Sequence, residues 1–279
     1  MDQDILLETR TAAGIPMLAC IPRLAHPCPL VFAVPGYGGT KTSLLSLAYR
    51  LAQRGLACIS FDPLYHGERF DERQQYAADP ALGGIYPPEC GMDTYRVFLQ
   101  VIRQCSLDIQ SLLAVASADP RLDADRVGVT GFSMGAYATY LALCEVPALR
   151  AGVAMMGLPA FSRRWQDLLD ECALSNPEWA AALRQVETQT AETTRWIGSF
   201  DPAARLGSAA RTSWPPLLSM NGDMDFDQPK YYVLDWLRSV RPAYASQPEN
   251  LRWNVYPVAH TLTPQMEMDA VDWFEQHLG

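Results

Sequence analysis

Val127-Gly128-Val129-Thr130-Gly131-Phe132-Ser133-Met134-Gly135 is the stretch from which the rest of the chain can be read. A β-branched run stops at Gly131, turns through Ser133 and continues into an Ala/Tyr/Leu-rich segment, Ala136 to Leu143, with the composition of a helix. A serine on so sharp a strand-to-helix turn is held in a strained backbone conformation with its hydroxyl above the sheet. Glycines two before and two after it let strand and helix pass closely without a Cβ clash. The next amide, on Met134, opens the helix, where its N–H has no intrahelical acceptor and can meet a developing negative charge. G-x-S-x-G is short, and alone it also describes an ordinary turn with an incidental serine. What flanks it decides between the two.

Outward from that turn, strand and helix alternate. Ile5 to Thr9 and Ile15 to Ile21 read as two strands joined at Ala13-Gly14. Leu30 to Val34 is a continuous apolar run of strand length, suited to a parallel strand buried on both faces. It ends in Pro35-Gly36-Tyr37-Gly38-Gly39-Thr40. A helix with Leu44, Leu47, Ala48 and Leu51 on one face follows, with Ser43 as its expected cap and Gly55 as its stop. Ala57 to Phe61 is the next strand, and Asp71 to Met92 reads as an irregular loop. Phe98, Val101, Ile102, Cys105, Ile109, Leu112, Leu113 and Ala116 mark one face of a long amphipathic helix. Beyond the Ser133 turn, strands are expected at 151–156, 216–220 and 251–256, helices at 230–241 and from Thr263-Pro264 onward. The alternation implies a mostly parallel sheet covered on both faces, whose ligands bind at the carboxyl ends of strands. The chain reads as one domain over 1–279, interrupted at 159–215 by a helical segment holding Trp165, Trp179, Trp196 and Trp214. Such an insertion is expected to cap the strand ends. Most of these tryptophans should pack the insertion onto the body, and Trp165 is a candidate to line a pocket.

Composition narrows the partners. The 279 residues are 49% hydrophobic and 19% charged, enough for a large core and without a disorder signature. A net charge of −9 repels phosphate backbones and anionic membranes, so neither nucleic acid nor membrane is an expected partner. The opening MDQDILLETR lacks a basic-then-apolar leader, and no apolar run approaches the ~18 residues of a membrane span. Seven scattered cysteines without a CxxC pair suit reduced thiols in a cytoplasmic protein, not a disulfide frame or a structural zinc site. No metal is expected, and homo-oligomerisation is left open.

The residues with chemistry fall just after predicted strands. The Ser133 hydroxyl needs a base within hydrogen-bond reach. His260 follows the last strand and precedes the last helix, so it belongs at the carboxyl end of the sheet. His277 sits near a helix end and reads as a partly exposed residue favoured by the dipole. His26 lies in a proline-rich loop on the other side. His66, in Asp62-Pro63-Leu64-Tyr65-His66-Gly67-Glu68-Arg69, reads as a rival that shapes the floor of the site. A base needs a carboxylate to orient it. Asn221-Gly222-Asp223-Met224-Asp225-Phe226-Asp227 offers three, of which Asp225 is preferred and Asp223 is next. An oxyanion needs two donors. The Met134 amide is one, and the Tyr37 amide is the other, with Gly36, Gly38 and Gly39 letting the backbone approach; Gly36 is also a candidate to line the pocket. That loop lacks the lysine pattern of a phosphate loop, and no G-x-G-x-x-G follows a strand, so no nucleotide cofactor is expected.

With Ser133, Asp225 and His260 in that chain order, the sequence resembles the α/β-hydrolase superfamily from about residue 28 to the end. The pieces that carry the resemblance are PGYGG at 35–39, DPLYHGER at 62–69, DADRVGVTGFSMGAYAT at 123–139, NGDMD at 221–225 and AHTLTPQM at 259–266. HGER and DRVGVTGFSMG look like the branch of dienelactone-hydrolase-like and prolyl-oligopeptidase-like esterases. The resemblance implies an eight-stranded, mostly parallel sheet and hydrolysis of a small-molecule carboxylic ester through an acyl-enzyme, without a cofactor. Pro35 stands where many relatives carry histidine, which spares the backbone donor. Serine stands where dienelactone hydrolases proper use cysteine, which argues against that substrate. A peptidase, an acyltransferase or a carbon–carbon hydrolase would use the same residues. A non-catalytic binding module would usually lack one of the three, and none is missing.

Overall fold

A computed structural model describes residues 4–70, 85–206 and 213–279. Eight strands form one sheet: β1 (Ile5–Ala12), β2 (Ile15–Pro22), β3 (Cys28–Val34), β4 (Ala57–Phe61), β5 (Leu122–Phe132), β6 (Leu149–Met155), β7 (Leu217–Gly222) and β8 (Leu251–Tyr256). Their order is β1-β2-β4-β3-β5-β6-β7-β8. β1 and β2 are antiparallel to their neighbours, and the six strands from β4 to β8 run parallel. The turn between β1 and β2 needs two residues at positive φ, Ala13 at 50° and Gly14 at 77°, which matches the twist of the strands it joins.

The described helices are α1 (Leu45–Gln53), α2 (Met92–Ala116), α3 (Met134–Glu145), α4 (Phe161–Ser175), α5 (Pro177–Gln185), α6 (Glu187–Gly198), α7 (Pro202–Arg205), α8 (Lys230–Val240) and α9 (Pro264–Leu278). β3 shows why the sheet needs cover on both sides. Its Leu30, Phe32 and Val34 join a core with residues of α2, α3 and α8, while Val31 and Ala33 join a second core with residues of α1 and α9. Strands this apolar can lie only between two helical layers. Two glycines set how closely those layers approach. A Cβ on Gly128 would meet Phe274 Cε1 at 2.6 Å, and one on Gly152 would meet Leu143 Cδ1 at 2.6 Å.

Several expectations need correction. Ser43 does not cap α1, because its hydroxyl accepts from the Thr40 N–H (2.9 Å) inside the preceding turn. His277 is partly exposed near the end of α9, as expected, but the helix dipole does not dominate its surroundings. Its ring lies 4.3 Å from that of Trp273, and burial, with the nearby Arg252 cation, pushes its pKa down. The cysteines are not all reduced: Cys90 and Cys172 form a disulfide with their Cα atoms 5.4 Å apart. The two are 82 residues apart in sequence and meet only because α4 folds over the chain before α2. The reading of a reducing compartment drew on a full set of thiols and loses that support. Most of the loop expected at 71–92 lies outside the described residues. No described helix is long and apolar enough to cross a membrane.

Candidate active site

The site is built where β3, β5, β7 and β8 end. Ser133 follows β5 with φ 55° and ψ −117°, a conformation that non-glycine residues adopt at a cost of about 1–3 kcal/mol. Its N–H donates to Met155 O (2.8 Å), which ties the turn to β6. The flanking glycines answer to contact. A Cβ on Gly131 would lie 2.2 Å from the Gly135 carbonyl carbon, and one on Gly135 would lie 1.9 Å from Val34 O. A third glycine, not singled out from the sequence, does the same work: a Cβ on Gly157 would meet Ala136 Cβ at 2.5 Å and Ser133 O at 2.9 Å.

His260 arrives on the loop after β8. That loop is locked to the end of β7 by Asp223 N–H to Tyr256 O (2.7 Å) and Met224 N–H to Val258 O (3.1 Å). Gly222 permits the approach, since a Cβ there would sit 2.4 Å from Val258 O. The result is one hydrogen-bonded line. His260 Nε2 is 2.8 Å from Ser133 Oγ, and His260 Nδ1 is 2.7 Å from Asp225 Oδ2. An ionised carboxylate can only accept, so Nδ1 carries the proton and Nε2 is left to accept from the serine hydroxyl. The Asp225 side chain is fully buried, and its other oxygen accepts from Gln228 N–H (2.9 Å), which fixes its direction. The competing Asp223 is exposed and pairs with Lys230 instead.

The loop after β3 brings the Tyr37 backbone beside this line. Gly39 N–H donates to Gly36 O (2.9 Å) and closes a turn, with Gly38 at φ 77°. Gly36 backs onto Ser133, its ideal Cβ position lying 3.4 Å from Ser133 Cβ. Neither Tyr37 N–H nor Met134 N–H finds an acceptor among the described residues.

Beneath that loop lies a cluster of charges. Asp62, fully buried at the end of β4, accepts from Lys41 N–H (2.7 Å), Lys41 Nζ (3.0 Å) and Glu68 N–H (3.0 Å). Lys41 Nζ also donates to Glu68 Oε1 (2.6 Å). Burial alone would raise the Asp62 pKa, but the amides of Glu68 and Lys41 and the Lys41 ammonium outweigh it, and the net shift is downward. Gly67, at φ 54°, makes room, because a Cβ there would fall 2.4 Å from the Asp62 carboxyl carbon. A group whose folded pKa is depressed adds stability above its unfolded pKa and loses it as pH falls through the folded value. Asp62 should therefore hold the loop at neutral pH and release it below about pH 4. Asp62→Asn is expected to lower stability by about 2–4 kcal/mol at pH 7, because Lys41 then keeps only the half-solvated Glu68. The difference from the wild type should shrink toward pH 3. Chemical denaturation at pH 7, 5 and 3 measures it, and a difference that stays constant with pH would contradict this account.

A cavity of about 480 Å³ opens at Ser133 and His260. Tyr37, Tyr95, Phe98 and Tyr137 give it an aromatic lining, and Leu168 and Arg164 of α4 close one wall. None of the three expected pocket residues is in that lining: Gly36 backs onto Ser133, and the other two lie elsewhere. His66 lines a separate, smaller cavity of about 170 Å³, where its ring packs edge-on against Tyr37 at 5.2 Å. It braces the loop from behind. Trp165 is buried against Tyr86 and donates to Thr194 Oγ1 (2.9 Å), so it packs α4 instead of facing the cavity. Tyr37 comes from the loop after β3, while Tyr95, Phe98 and Tyr137 come from α2 and α3, where the sequence reads Phe98 as core. Tyr137, one turn after Ser133 on α3, could have been found by its i+4 spacing. Arg164 and Gln228 left no such signal.

Comparisons agree with this architecture. No family model matches the sequence. The chain is 27% identical over 276 residues to the esterase YjfP of Escherichia coli (strain K12), covering 98% of this chain and all of that protein. It is 25% identical over 277 residues to YitV of Bacillus subtilis (strain 168), provisionally named an esterase, again with 98% and 100% covered. Among solved structures, TT1662 from Thermus thermophilus superposes with a TM-score of 0.67 at 24% identity and 98% coverage of each chain. Acetyl xylan esterase 1 from Thermoanaerobacterium sp. JW/SL YS485 gives 0.63 at 16% identity, with 99% of this chain and 88% of that one covered.

Proposed function

Because the chain is an α/β-hydrolase with esterases among its full-length relatives, we propose that it is a serine hydrolase cleaving a small-molecule carboxylic ester through an acyl-enzyme. The observation that carries the reading is the line from Ser133 Oγ through His260 to the buried Asp225 at 2.8 and 2.7 Å. Ser133 Oγ attacks the ester carbonyl while His260 Nε2 takes its proton. Asp225 holds the ring in the required tautomer and stabilises the imidazolium. The negative charge on the carbonyl oxygen is received by the Tyr37 and Met134 amides, whose N–H groups have no acceptor among the described residues. Collapse of the tetrahedral species breaks the bond to the alcohol oxygen, which leaves with the proton from His260. Water then attacks the acyl-serine with His260 again as base, releasing the acid and restoring Ser133. The helices α4 to α7 serve as the cap, with α4 as the wall that meets the substrate.

The test is labelling of the intact protein with a fluorophosphonate, alongside a series of p-nitrophenyl esters of rising chain length. Stoichiometric labelling of Ser133 with ester turnover is expected. Well-folded protein that neither labels nor turns over any ester would overturn the proposal. Labelling without ester turnover would move it to amides or carbon–carbon bonds.

A further inference from the structure

The cation in the cavity lining has no part in the mechanism above. Arg164 lies one turn into α4 and reaches the aromatic pocket that holds Ser133 and His260. Its place is built. Asp201 accepts from Phe161 N–H (3.1 Å) and Ser162 N–H (3.0 Å), and Tyr95 Oη–H donates to Phe161 O (3.2 Å), so the first turn of α4 is fastened to the body. The Arg164 side chain is 30% exposed, and its one ion-pair partner among the described residues is Glu171, at 3.2 Å through Nη1. Glu171 is itself 63% exposed, and a solvated partner of that kind neutralises little. The nearer carboxylate in sequence, Asp167, accepts from Tyr232 instead. A guanidinium has five N–H donors in a fixed fork, and the one hydrogen bond it makes among the described residues, to Glu171, leaves donors for whatever fills the pocket.

The surrounding charges argue for direction. Asp227 is the acid in the cavity lining, and its carboxylate lies within 4.8 Å of the His260 ring nitrogen in a cluster with Asp225. An anionic group on the substrate would be repelled there and attracted at Arg164. Tyr95, Phe98, Tyr137 and Leu168 line the same space and suit an apolar spacer. We infer that the preferred esters carry a carboxylate joined to the scissile carbonyl by an apolar or aromatic spacer, and that Arg164 receives that carboxylate. The inference rests on the serine-esterase reading and narrows its substrate class. The acidic surface, with a net charge of −9, does not oppose it, since one local cation at short range outweighs distant, screened charges.

The experiment compares substrates alike in size and different in charge. 4-Nitrophenyl 4-carboxybenzoate is set against 4-nitrophenyl 4-carbamoylbenzoate, and the 4-nitrophenyl half-ester of adipic acid against its primary amide. In the wild type the carboxylate is expected to win by about ten- to a hundredfold in kcat/KM, mostly through KM. Arg164→Gln should bring the ratio near one, and Arg164→Lys should keep part of the preference. Fluorophosphonate labelling of each variant reports that Ser133 is still assembled. A wild-type ratio at or below one in both pairs, or a ratio untouched by Arg164→Gln, overturns the inference while leaving the esterase reading intact. No labelling and no turnover of any of the four esters removes both.

Discussion

Ser133→Ala is expected to lower kcat for ester hydrolysis by roughly 10⁴- to 10⁶-fold and to abolish fluorophosphonate labelling, with little change in substrate binding. The size follows from what is lost. Without Oγ there is no nucleophile for His260 to activate, and what remains is the catalysis that binding and the two free amides can give a water molecule. Adding His260→Ala to Ser133→Ala should cost almost nothing further, because the two side chains act as a unit joined by the 2.8 Å bond. Stability provides an independent reading of the same residue. Alanine keeps the Cβ and so keeps the strain of φ 55° at this turn. Ser133→Gly removes it, and should be more stable than Ser133→Ala by about 1 kcal/mol after glycine's own entropy cost. A mutant retaining a tenth of wild-type turnover would rule out Ser133 as nucleophile, and equal stability of the two variants would rule out strain at the elbow.

The elements that set the fold are those whose local chemistry agrees with their surroundings. β3 is apolar at every position because both of its faces are covered, so its burial can be read from its composition. The Gly131-x-Ser133-x-Gly135 spacing is likewise local: the glycines avoid clashes with one another and with β3 a few ångströms away. Ser133, Asp225 and His260 each follow a strand, so a parallel sheet was enough to gather them at one end. What could not be read depends on distant packing. Cys90 and Cys172 carry no spacing signal, since their meeting depends on where α4 settles. Phe98 belongs to an amphipathic face, but only the tertiary structure separates the residues of that face that meet the core from those that meet the cavity. Trp165 shows the converse error. A large aromatic in an insertion suggests a ligand contact, yet its indole satisfies its one donor within the cap and its ring fills the core. Asp62 was visible as part of a motif, but its three hydrogen bonds to Lys41 and Glu68 were not, because Lys41 stands 21 residues away.

Gly135→Ala should do more damage than any other single methyl added near the site. The new Cβ would fall 1.9 Å from Val34 O, 2.7 Å from its carbonyl carbon and 3.0 Å from Pro35 O. These are backbone atoms of the last residue of the central strand β3 and of the residue after it, so no side-chain rotation can relieve them. Either α3 moves off the sheet or β3 shifts, and both movements separate the Met134 amide from the Tyr37 amide. A loss of more than about 3 kcal/mol in stability is expected, above the usual cost of overpacking a core with a flexible neighbour. Fluorophosphonate labelling of whatever folded fraction remains should be slower by at least about 100-fold, the cost of one misplaced oxyanion donor. Gly128→Ala provides the comparison. The three atoms nearest its Cβ would belong to the Phe274 and Leu278 side chains, at 2.6 to 3.0 Å, on the far face of the sheet. It should lower stability by about 1–3 kcal/mol and leave the labelling rate of the folded protein near that of the wild type. If Gly135→Ala instead melts and labels like the wild type, α3 does not approach β3 as closely as described, and the geometry assigned to the Met134 amide fails with it.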